Sequence, residues 1–197
     1  MLEILIASRN AGKVKEIKEI LKDIKVKWLT LDDFPGIPEV EEDGETFEEN
    51  AFKKADKISQ YTGKICLADD SGLEIDYLKG EPGIYSSRWG TSDEERIHKV
   101  LELMKNVPKN QRSAKFICVL VLAYPEGRRY IIKEECKGMI ADHPRGEYGF
   151  GYDPIFLVPE YDKTFAELGE RVKNEISHRG KALQKMAKII NELVTGE

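Results

Sequence analysis

Two short segments of this 197-residue chain have the residue types needed to bind a molecule with a flat ring and an anionic tail. Residues 150–153, Phe-Gly-Tyr-Asp, place two aromatic rings and a carboxylate among chain-bending glycines. Phe150 or Tyr152 could stack on a heterocyclic base, while Asp153 and backbone amides bind the edge of that base. The same segment could instead be an aromatic-anchored turn that packs into the core.

The second segment, residues 177–181, has the sequence Ser-His-Arg-Gly-Lys and stands at the predicted start of a helix. Cationic side chains at this place oppose the positive end of the helix dipole. His178 and Arg179 therefore suggest a task other than stability, such as holding an anion or a carbonyl oxygen. The remaining histidines, His98 and His143, are interpreted as structural.

Residues 8–13, Ser-Arg-Asn-Ala-Gly-Lys, form a polar turn between a predicted strand and a predicted helix. A helix N-terminus presents free backbone N–H groups and a positive dipole end, so anions bind there readily. Lys13 adds a full charge, and the side chains of Ser8 and Asn10 add hydrogen bonds. The segment is not a Walker A loop, which would require Gly in place of Ala7. An ordinary polar turn is the alternative interpretation.

Candidate metal ligands come from two acidic stretches. Asp69 and Asp70 follow a predicted strand at residues 65–68, and a run of acidic residues lies between Glu39 and Glu49. Mg²⁺ prefers carboxylate oxygens and commonly uses one or two of them together with substrate phosphates. Neighbouring strand residues point to opposite sides, so we expect one of the two aspartates to face a ligand. A polar turn closed by Gly72 and a solvated acidic face are the alternatives.

Asn50 and Lys54 are four residues apart on the helix predicted after Thr46, so they share one face. That face neighbours the apolar one, and both side chains could border a cleft. A solvated helix flank is the alternative interpretation.

The elements that must position these residues predict an α/β fold. A buried strand at residues 2–7, an amphipathic helix and a strand at residues 25–30 indicate a βαβ-type opening. Strands at residues 115–123 and 129–136 are joined by a short turn, which predicts an antiparallel hairpin in a mixed sheet. Further signals predict a strand at residues 156–158 and capping boxes at Thr46–Glu49 and Ser92–Glu95. Thr164 and Glu167 indicate the start of a short helix, and Ser177 is expected to cap the final helix.

Composition limits the function classes. Apolar residues make up 41% of the chain, enough for one domain over residues 1–197, and the net charge of −5 argues against nonspecific nucleic-acid binding. Cys66, Cys118 and Cys136 lack metal-ligand spacing, so buried reduced thiols are predicted. The sequence has neither a signal-peptide pattern nor a run of transmembrane length, and we expect a cytoplasmic protein without membrane contact.

The chain resembles the inosine triphosphate pyrophosphatase family, and most closely its bacterial members. Six segments carry the resemblance in the expected order. They are SRNAGK at residues 8–13, TFEENA at 46–51, ADDSGL at 68–73, PGIYS at 82–86, GFGYDPIF at 149–156 and ISHRG at 176–180.

The resemblance implies an elongated, two-lobed α/β fold with a twisted mixed sheet flanked by helices, an active-site cleft between the lobes and a homodimer. It implies hydrolysis of ITP, dITP or XTP to the nucleoside monophosphate and pyrophosphate, with Mg²⁺ required. Metal ligands would be Glu42, with Glu41 and Asp43 as alternatives, and Asp70. The implied catalytic residues are Asp70 and Lys54, and the implied substrate-binding residues are Ser8, Arg9, Asn10, Ala11, Gly12, Lys13, Asn50, Ser71, Phe150, Gly151, Tyr152, Asp153, Lys173, His178 and Arg179.

Within this set, residues 8–13, Asn50, Lys54 and Lys173 would contact phosphates. Phe150 would stack on the base, and Asp153, His178 and Arg179 would read its edge and sugar side. A water held by Asp70 and Mg²⁺ would attack the α-phosphorus.

Two other functions remain open from the sequence. A phosphohydrolase would release orthophosphate from the γ-position instead of pyrophosphate. A non-catalytic nucleotide or RNA sensor would use the same residues without turnover, and Asp70 and Lys13 argue against it.

Overall fold

The computed structural model describes residues 1–196, which form seven strands and five α-helices. Their bounds are β1 Glu3–Ile6, α1 Ala11–Ile20, β2 Lys27–Thr30, α2 Phe47–Thr62, β3 Ile65–Ile75, α3 Asp93–Met104, β4 Ser113–Ala123, β5 Arg129–Ile140, β6 Phe156–Val158, β7 Lys163–Thr164, α4 Phe165–Ile176 and α5 His178–Thr195. Short 3₁₀ turns fill several of the connections.

The strands form one mixed sheet in the order β2-β1-β3-β4-β5-β6-β7. β1 pairs in parallel with both β2 and β3, whereas β6 pairs antiparallel with β5 and β7. The register of the first pair places Glu3 opposite Lys27 and Ile6 opposite Thr30. The predicted βαβ opening and the predicted mixed sheet are therefore confirmed.

Strand β3 is longer than the sequence indicated. The predicted strand ended at Ala68, and the polar residues after it suggested a turn closed by Gly72, but β3 continues to Ile75. The prediction was wrong because Leu73 and Ile75 are fully buried, so the polar residues interrupt an apolar strand without ending it. Asp69 and Asp70 consequently lie within a strand.

Both predicted capping boxes are only half formed. The Thr46 hydroxyl accepts a hydrogen bond from the Glu49 backbone N–H at 3.1 Å, but the Glu49 carboxylate accepts from the N–H of Glu45 and not of Thr46. Ser92 and Glu95 repeat this pattern, because the glutamate again reaches one residue further back.

The box formed by Thr164 and Glu167 is reciprocal. The helix that it starts was predicted to be short, but α4 has 12 residues and is interrupted at Gly169, whose φ is 76°.

The chain divides into two compact units, each with its own core. The first unit comprises residues 1–70, 118–134 and 179–197, and the second comprises residues 71–117 and 135–178. Large buried side chains of the first core are Ile4, Ile6, Ile17, Leu21, Leu67, Leu120, Leu183 and Met186. Those of the second are Leu73, Ile75, Val100, Met104, Phe116, Tyr152, Phe156 and Phe165. The single-domain assignment and the two-lobed shape stay predictions.

Cys66, Cys118 and Cys136 are buried and reduced, as predicted. Burial raises the pKa of the Cys66 thiol to about 12 and that of Cys118 well above its ordinary value. Within residues 1–196, no helix combines the length and the apolar character needed to cross a bilayer.

Candidate functional site

Asp69 lies at the centre of a buried ionic network in the first unit. Its side chain is 0% exposed, and it pairs with the Lys13 ammonium through Oδ1 and with Nε of Arg179 through Oδ2, the latter at 2.9 Å. The Cys118 thiol donates to the same Oδ2 at 3.2 Å. Arg179 also pairs through Nη1 with Glu16 at 2.6 Å. Residues from α1, β3, β4 and α5 therefore converge on one carboxylate.

This network fixes the ionisation state of Asp69. Burial alone would raise its pKa, but the charges of Arg179 and Lys13 outweigh that effect and hold the pKa of Asp69 well below its ordinary value. A buried carboxylate stays charged only where cations and donors replace its lost hydration. Asp69 is therefore an ionised group whose charge is balanced by neighbouring cations.

Asp70, the next residue of β3, has a different environment. Burial raises the pKa of the Asp70 carboxyl to about 6, against the lowering effects of Lys13 and Lys54, and the negative charges of Glu42 and Asp69 raise it further. The two adjacent carboxyl groups therefore have distinct surroundings, and the expectation that one of them faces a ligand stays a prediction.

Glu42 and Lys54 form an ion pair beside Asp70. Lys54 Nζ also donates to the backbone oxygen of Asp69 at 3.1 Å. Among the three candidates for the second metal ligand, Asp43 pairs with Lys53 and Glu41 is exposed. Of these three residues, Glu42 is the one whose negative charge raises the pKa of Asp70.

The carboxylates of Glu42 and Asp70 are of the type that binds a hard divalent cation. No group of three or more His, Cys, Asp or Glu side chains within residues 1–196 is arranged as a metal site. Mg²⁺ does not require one, since it commonly takes one or two carboxylates and completes its shell with water and phosphate oxygens. A cation would also stabilise the ionised form of the Asp70 carboxyl, which burial and nearby negative charge disfavour. Glu42 and Asp70 are the residues that would hold it.

Residues 8–13 form the N-terminal entry to α1. Asn10 caps the helix, since its side-chain oxygen accepts from the Lys13 backbone N–H at 3.0 Å. Ser8 Oγ accepts from the Asn10 backbone N–H at 3.2 Å, and Arg9 donates to the backbone oxygen of Ile37. The first helical residue, Ala11, is exposed. The segment is therefore an ordered helix start with its amide end open to solvent.

Asn50 is fully buried, so the solvated-flank interpretation is wrong for this residue. Its side-chain oxygen accepts from the Gly44 backbone N–H at 2.8 Å. Among residues 1–196, no protein group accepts a hydrogen bond from the Asn50 Nδ2. A buried donor without an acceptor is costly, so Nδ2 is suited to an oxygen that a ligand brings.

The second unit contains an aromatic cluster around Phe150. The Asp153 carboxylate accepts from the Phe150 backbone N–H at 2.9 Å and pairs with the Lys173 ammonium, and both charged side chains are at most 5% exposed. That ammonium also lies 4.7 Å from the centroid of the Phe150 ring. Gly149 is required here, because its φ is 84° and a Cβ would come within 2.0 Å of the Asp153 carboxylate. The turn therefore has a fixed geometry.

Contacts with residues 86 and 93 also hold this turn. The Gly151 backbone N–H donates to Asp93 at 2.6 Å, and the Tyr152 hydroxyl donates to the backbone oxygen of Ser86 at 2.9 Å. Tyr152 is buried, so its ring belongs to the core. Phe150, which is partly exposed, is the aromatic residue of the turn available for stacking.

His178 and Arg179 are neighbours in sequence but contribute to different clusters. The buried imidazole of His178 stacks on Phe116, with ring centroids 4.6 Å apart and planes at 8°, in the second unit. The Arg179 side chain enters the ionic network of the first unit. Lys173 lies against Phe150 and Asp153 in the aromatic cluster, and its predicted phosphate contact stays a prediction.

Comparison with known proteins identifies the family. A family model described as the Ham1 family matches residues 4–189. The chain belongs to the Ham1 family. A dITP/XTP pyrophosphatase of Desulforamulus reducens is 49% identical over 195 residues, covering 98% of this chain and 97% of the relative. One of Bacillus subtilis is 47% identical over 193 residues, covering 96% and 98% of the two chains.

Solved Ham1 structures share the fold. A HAM1 protein from Coxiella burnetii superposes with a TM-score of 0.88 at 44% identity, covering 98% of this chain and all of that one. The Ham1 protein of Staphylococcus aureus gives a TM-score of 0.85 at 42% identity, covering 95% and 97%. The predicted α/β fold with a mixed sheet is therefore confirmed.

Sequence reasoning did not predict that several residues contact the candidate site residues. They are Glu16, Asp69, Asp93, Phe116 and Cys118. Asp69 had a signal, because alternation along a strand places adjacent carboxylates on opposite faces. The other four appear as ordinary surface or core residues of their elements, and only tertiary contacts reveal them.

Proposed function

We propose that this chain hydrolyses deaminated purine nucleoside triphosphates, namely ITP, dITP and XTP, to the nucleoside monophosphate and pyrophosphate. The observation that carries the proposal is the juxtaposition around Asp70 of one acidic neighbour, Glu42, and two lysines, Lys13 and Lys54. Relatives that match over nearly their whole length bear the name dITP/XTP pyrophosphatase, which supports this substrate class and reaction.

Asp70 would orient the attacking water and accept its proton, so that the water oxygen reaches the α-phosphorus. The charge that develops on the departing pyrophosphate would be neutralised by Lys13 and Lys54. Glu42 and Asp70 would hold Mg²⁺, which when bound supplies Lewis-acid stabilisation of phosphate oxygens. No covalent intermediate is required, because water itself is the nucleophile.

Other residues would bind the phosphates and the rest of the substrate. The amide end of α1 at residues 8–13 offers backbone N–H groups and a positive dipole to an anion. Asn50 would donate from Nδ2, the buried donor that has no protein acceptor within residues 1–196. Ser71, the residue after Asp70, would contact the substrate through its hydroxyl.

Base recognition would use the aromatic turn. Phe150 would stack on the purine, and Gly151, Tyr152, Asp153 and His178 would line its edge. The position of Lys173 against Asp153 favours a role near the base over the phosphate contact predicted from the sequence. The base-reading role of Arg179 stays a prediction, and its ion pairs with Asp69 and Glu16 favour a role in the first unit.

Selectivity follows from the oxygen at C6 of hypoxanthine and xanthine, where adenine has an amino group. Hydrogen-bond donors placed for that oxygen would be left unpaired by adenine, and sites of this type discriminate by about 10⁴-fold. Guanine also carries the oxygen, so its rejection must involve its 2-amino group.

The decisive experiment compares ITP, XTP, GTP and ATP with Mg²⁺ and with EDTA, and identifies the products. We expect monophosphate and pyrophosphate from ITP and XTP, with no turnover in EDTA. Release of orthophosphate would favour the phosphohydrolase alternative, and similar rates for all four nucleotides would refute the selectivity. A homodimer and a cytoplasmic location are part of the proposal, and light scattering and cell fractionation test them.

A further inference from the structure

Asp69 contacts both lysines that the proposed function assigns to the phosphates. Its Oδ1 pairs with the Lys13 ammonium, and its backbone oxygen accepts from Lys54 Nζ at 3.1 Å. We infer that Asp69 is a positioning residue, which fixes the ammonium of Lys13 for the phosphates through a buried network braced by Arg179 and Glu16. This inference rests on the proposed function and assigns a task to the aspartate that the reaction itself does not use.

The contacts of Asp69 separate its role from that of Asp70. Oδ1 is taken by Lys13, and Oδ2 by Arg179 and the Cys118 thiol. The Asp69 side chain is 0% exposed, so its carboxylate acts on its protein neighbours. A carboxylate so engaged serves the reaction through the groups that it holds.

The network is built so that only one of its cations is reachable. The Lys13 side chain keeps 15% exposure, whereas Arg179 keeps 3%. Arg179 is itself paired with Glu16. Removing one member of a buried ionic group leaves an uncompensated charge, so the loss of any one contact is costly. Asp69 and its brace thereby restrict a lysine side chain that would otherwise sample many rotamers.

The test is a double-mutant cycle between Asp69 and Lys13 with ITP as substrate and pyrophosphate release as the readout. We expect Asp69→Asn to lower kcat by roughly 30-fold, because small misplacements of a reacting geometry are costly, and to change KM less than about threefold. In a Lys13→Met background, the same change should lower kcat by less than about threefold. A merely structural Asp69 would lower kcat by equal factors in both backgrounds, and that result would overturn the inference.

Glu3 provides a matched control in the first unit. Its carboxylate also bridges two lysines, Lys27 at 2.9 Å and Lys64 at 2.6 Å, but at the start of β1. Glu3→Gln should leave kcat and KM unchanged. If Asp69→Asn does not fold, Asp69→Glu retains the charge and moves it by one methylene, and the same coupling with Lys13→Met is expected.

The experiment distinguishes this inference from the proposed function. Failure of the unaltered protein to release pyrophosphate from ITP would refute the proposed function, and the inference with it, before any variant is made. An active protein whose kcat is unchanged by Asp69→Asn, or by Asp69→Glu where that variant is needed, would refute the positioning role alone.

Discussion

The ionic network around Asp69 and the aromatic cluster around Phe150 each contain a buried carboxylate, but the partners of the two carboxylates differ. In the first unit, one carboxylate is paired with two cations and hydrogen-bonded to a thiol. In the second unit, a single Lys173–Asp153 pair lies against the Phe150 ring. The first arrangement concentrates full charges, whereas the second uses one charge pair to fix the plane of a ring.

The difference suggests how each cluster tolerates change. Interactions between full charges are strong at short range, so the first cluster should respond to the loss of a charge with a change in chemistry. Stacking depends on ring orientation and area, so the second should respond to loosened geometry with a change in binding. Variants of the two clusters should accordingly separate kcat effects from KM effects.

The largest effect is expected at Asp70. Asp70→Asn keeps the shape of the side chain but removes the group proposed to accept a proton, so kcat for ITP should fall about 10³-fold while KM changes by less than about fivefold. Steady-state kinetics with Mg²⁺ measures both. An unchanged kcat with a raised KM would mean that Asp70 binds substrate without taking part in the chemistry.

The second unit should show its largest response in stability. Lys173 and Asp153 are both nearly inaccessible, and breaking a buried pair by removing one partner costs about 3 kcal/mol or more. Lys173→Met should therefore lower the free energy of unfolding by about that amount in urea titrations. The double variant Lys173→Met/Asp153→Asn should recover part of the loss, because no buried charge is left unpaired.

A surface pair supplies the control for this measurement. Lys22 and Glu19 are 2.9 Å apart with side chains more than half exposed, and such pairs contribute less than about 1 kcal/mol. Glu19→Gln should leave the urea midpoint nearly unchanged. A loss for Lys173→Met as small as that for Glu19→Gln would show that the buried pair is not the support of the aromatic turn.

The sequence predicted the parts of these clusters that local pattern controls. Apolar spacing identified β1 and α1, and the glycines around Phe150 indicated a turn that the structure confirms. The partners of Asp69 could not be predicted, because Arg179 lies 110 residues away and periodicity reports only on neighbours along the chain. The stacking of His178 on Phe116 likewise depends on two elements meeting in the folded unit.

Asp93 allows a finer test of the aromatic turn. It accepts the Gly151 backbone N–H at 2.6 Å, and no reacting group is assigned to it. Asp93→Ala should loosen the turn that carries Phe150, raising KM for ITP by about tenfold with kcat nearly unchanged. Asp93→Asn keeps an acceptor oxygen and should restore most of the affinity. A lowered kcat in Asp93→Ala at unchanged KM would contradict the assignment of the second unit to binding.

The smallest expected effect concerns Cys66, a thiol of the first unit to which no role in the reaction is assigned. Its pKa is about 12 in the folded protein because of burial, against an ordinary value near 9, so its contribution to stability is present below about pH 9 and is lost as the pH rises toward 12. Between pH 9 and pH 10 the loss should be about 1 kcal/mol. Unfolding titrations of the unaltered protein and Cys66→Ala at both pH values measure it as a difference that shrinks at higher pH. A constant difference would mean that the thiol ionises equally in both states.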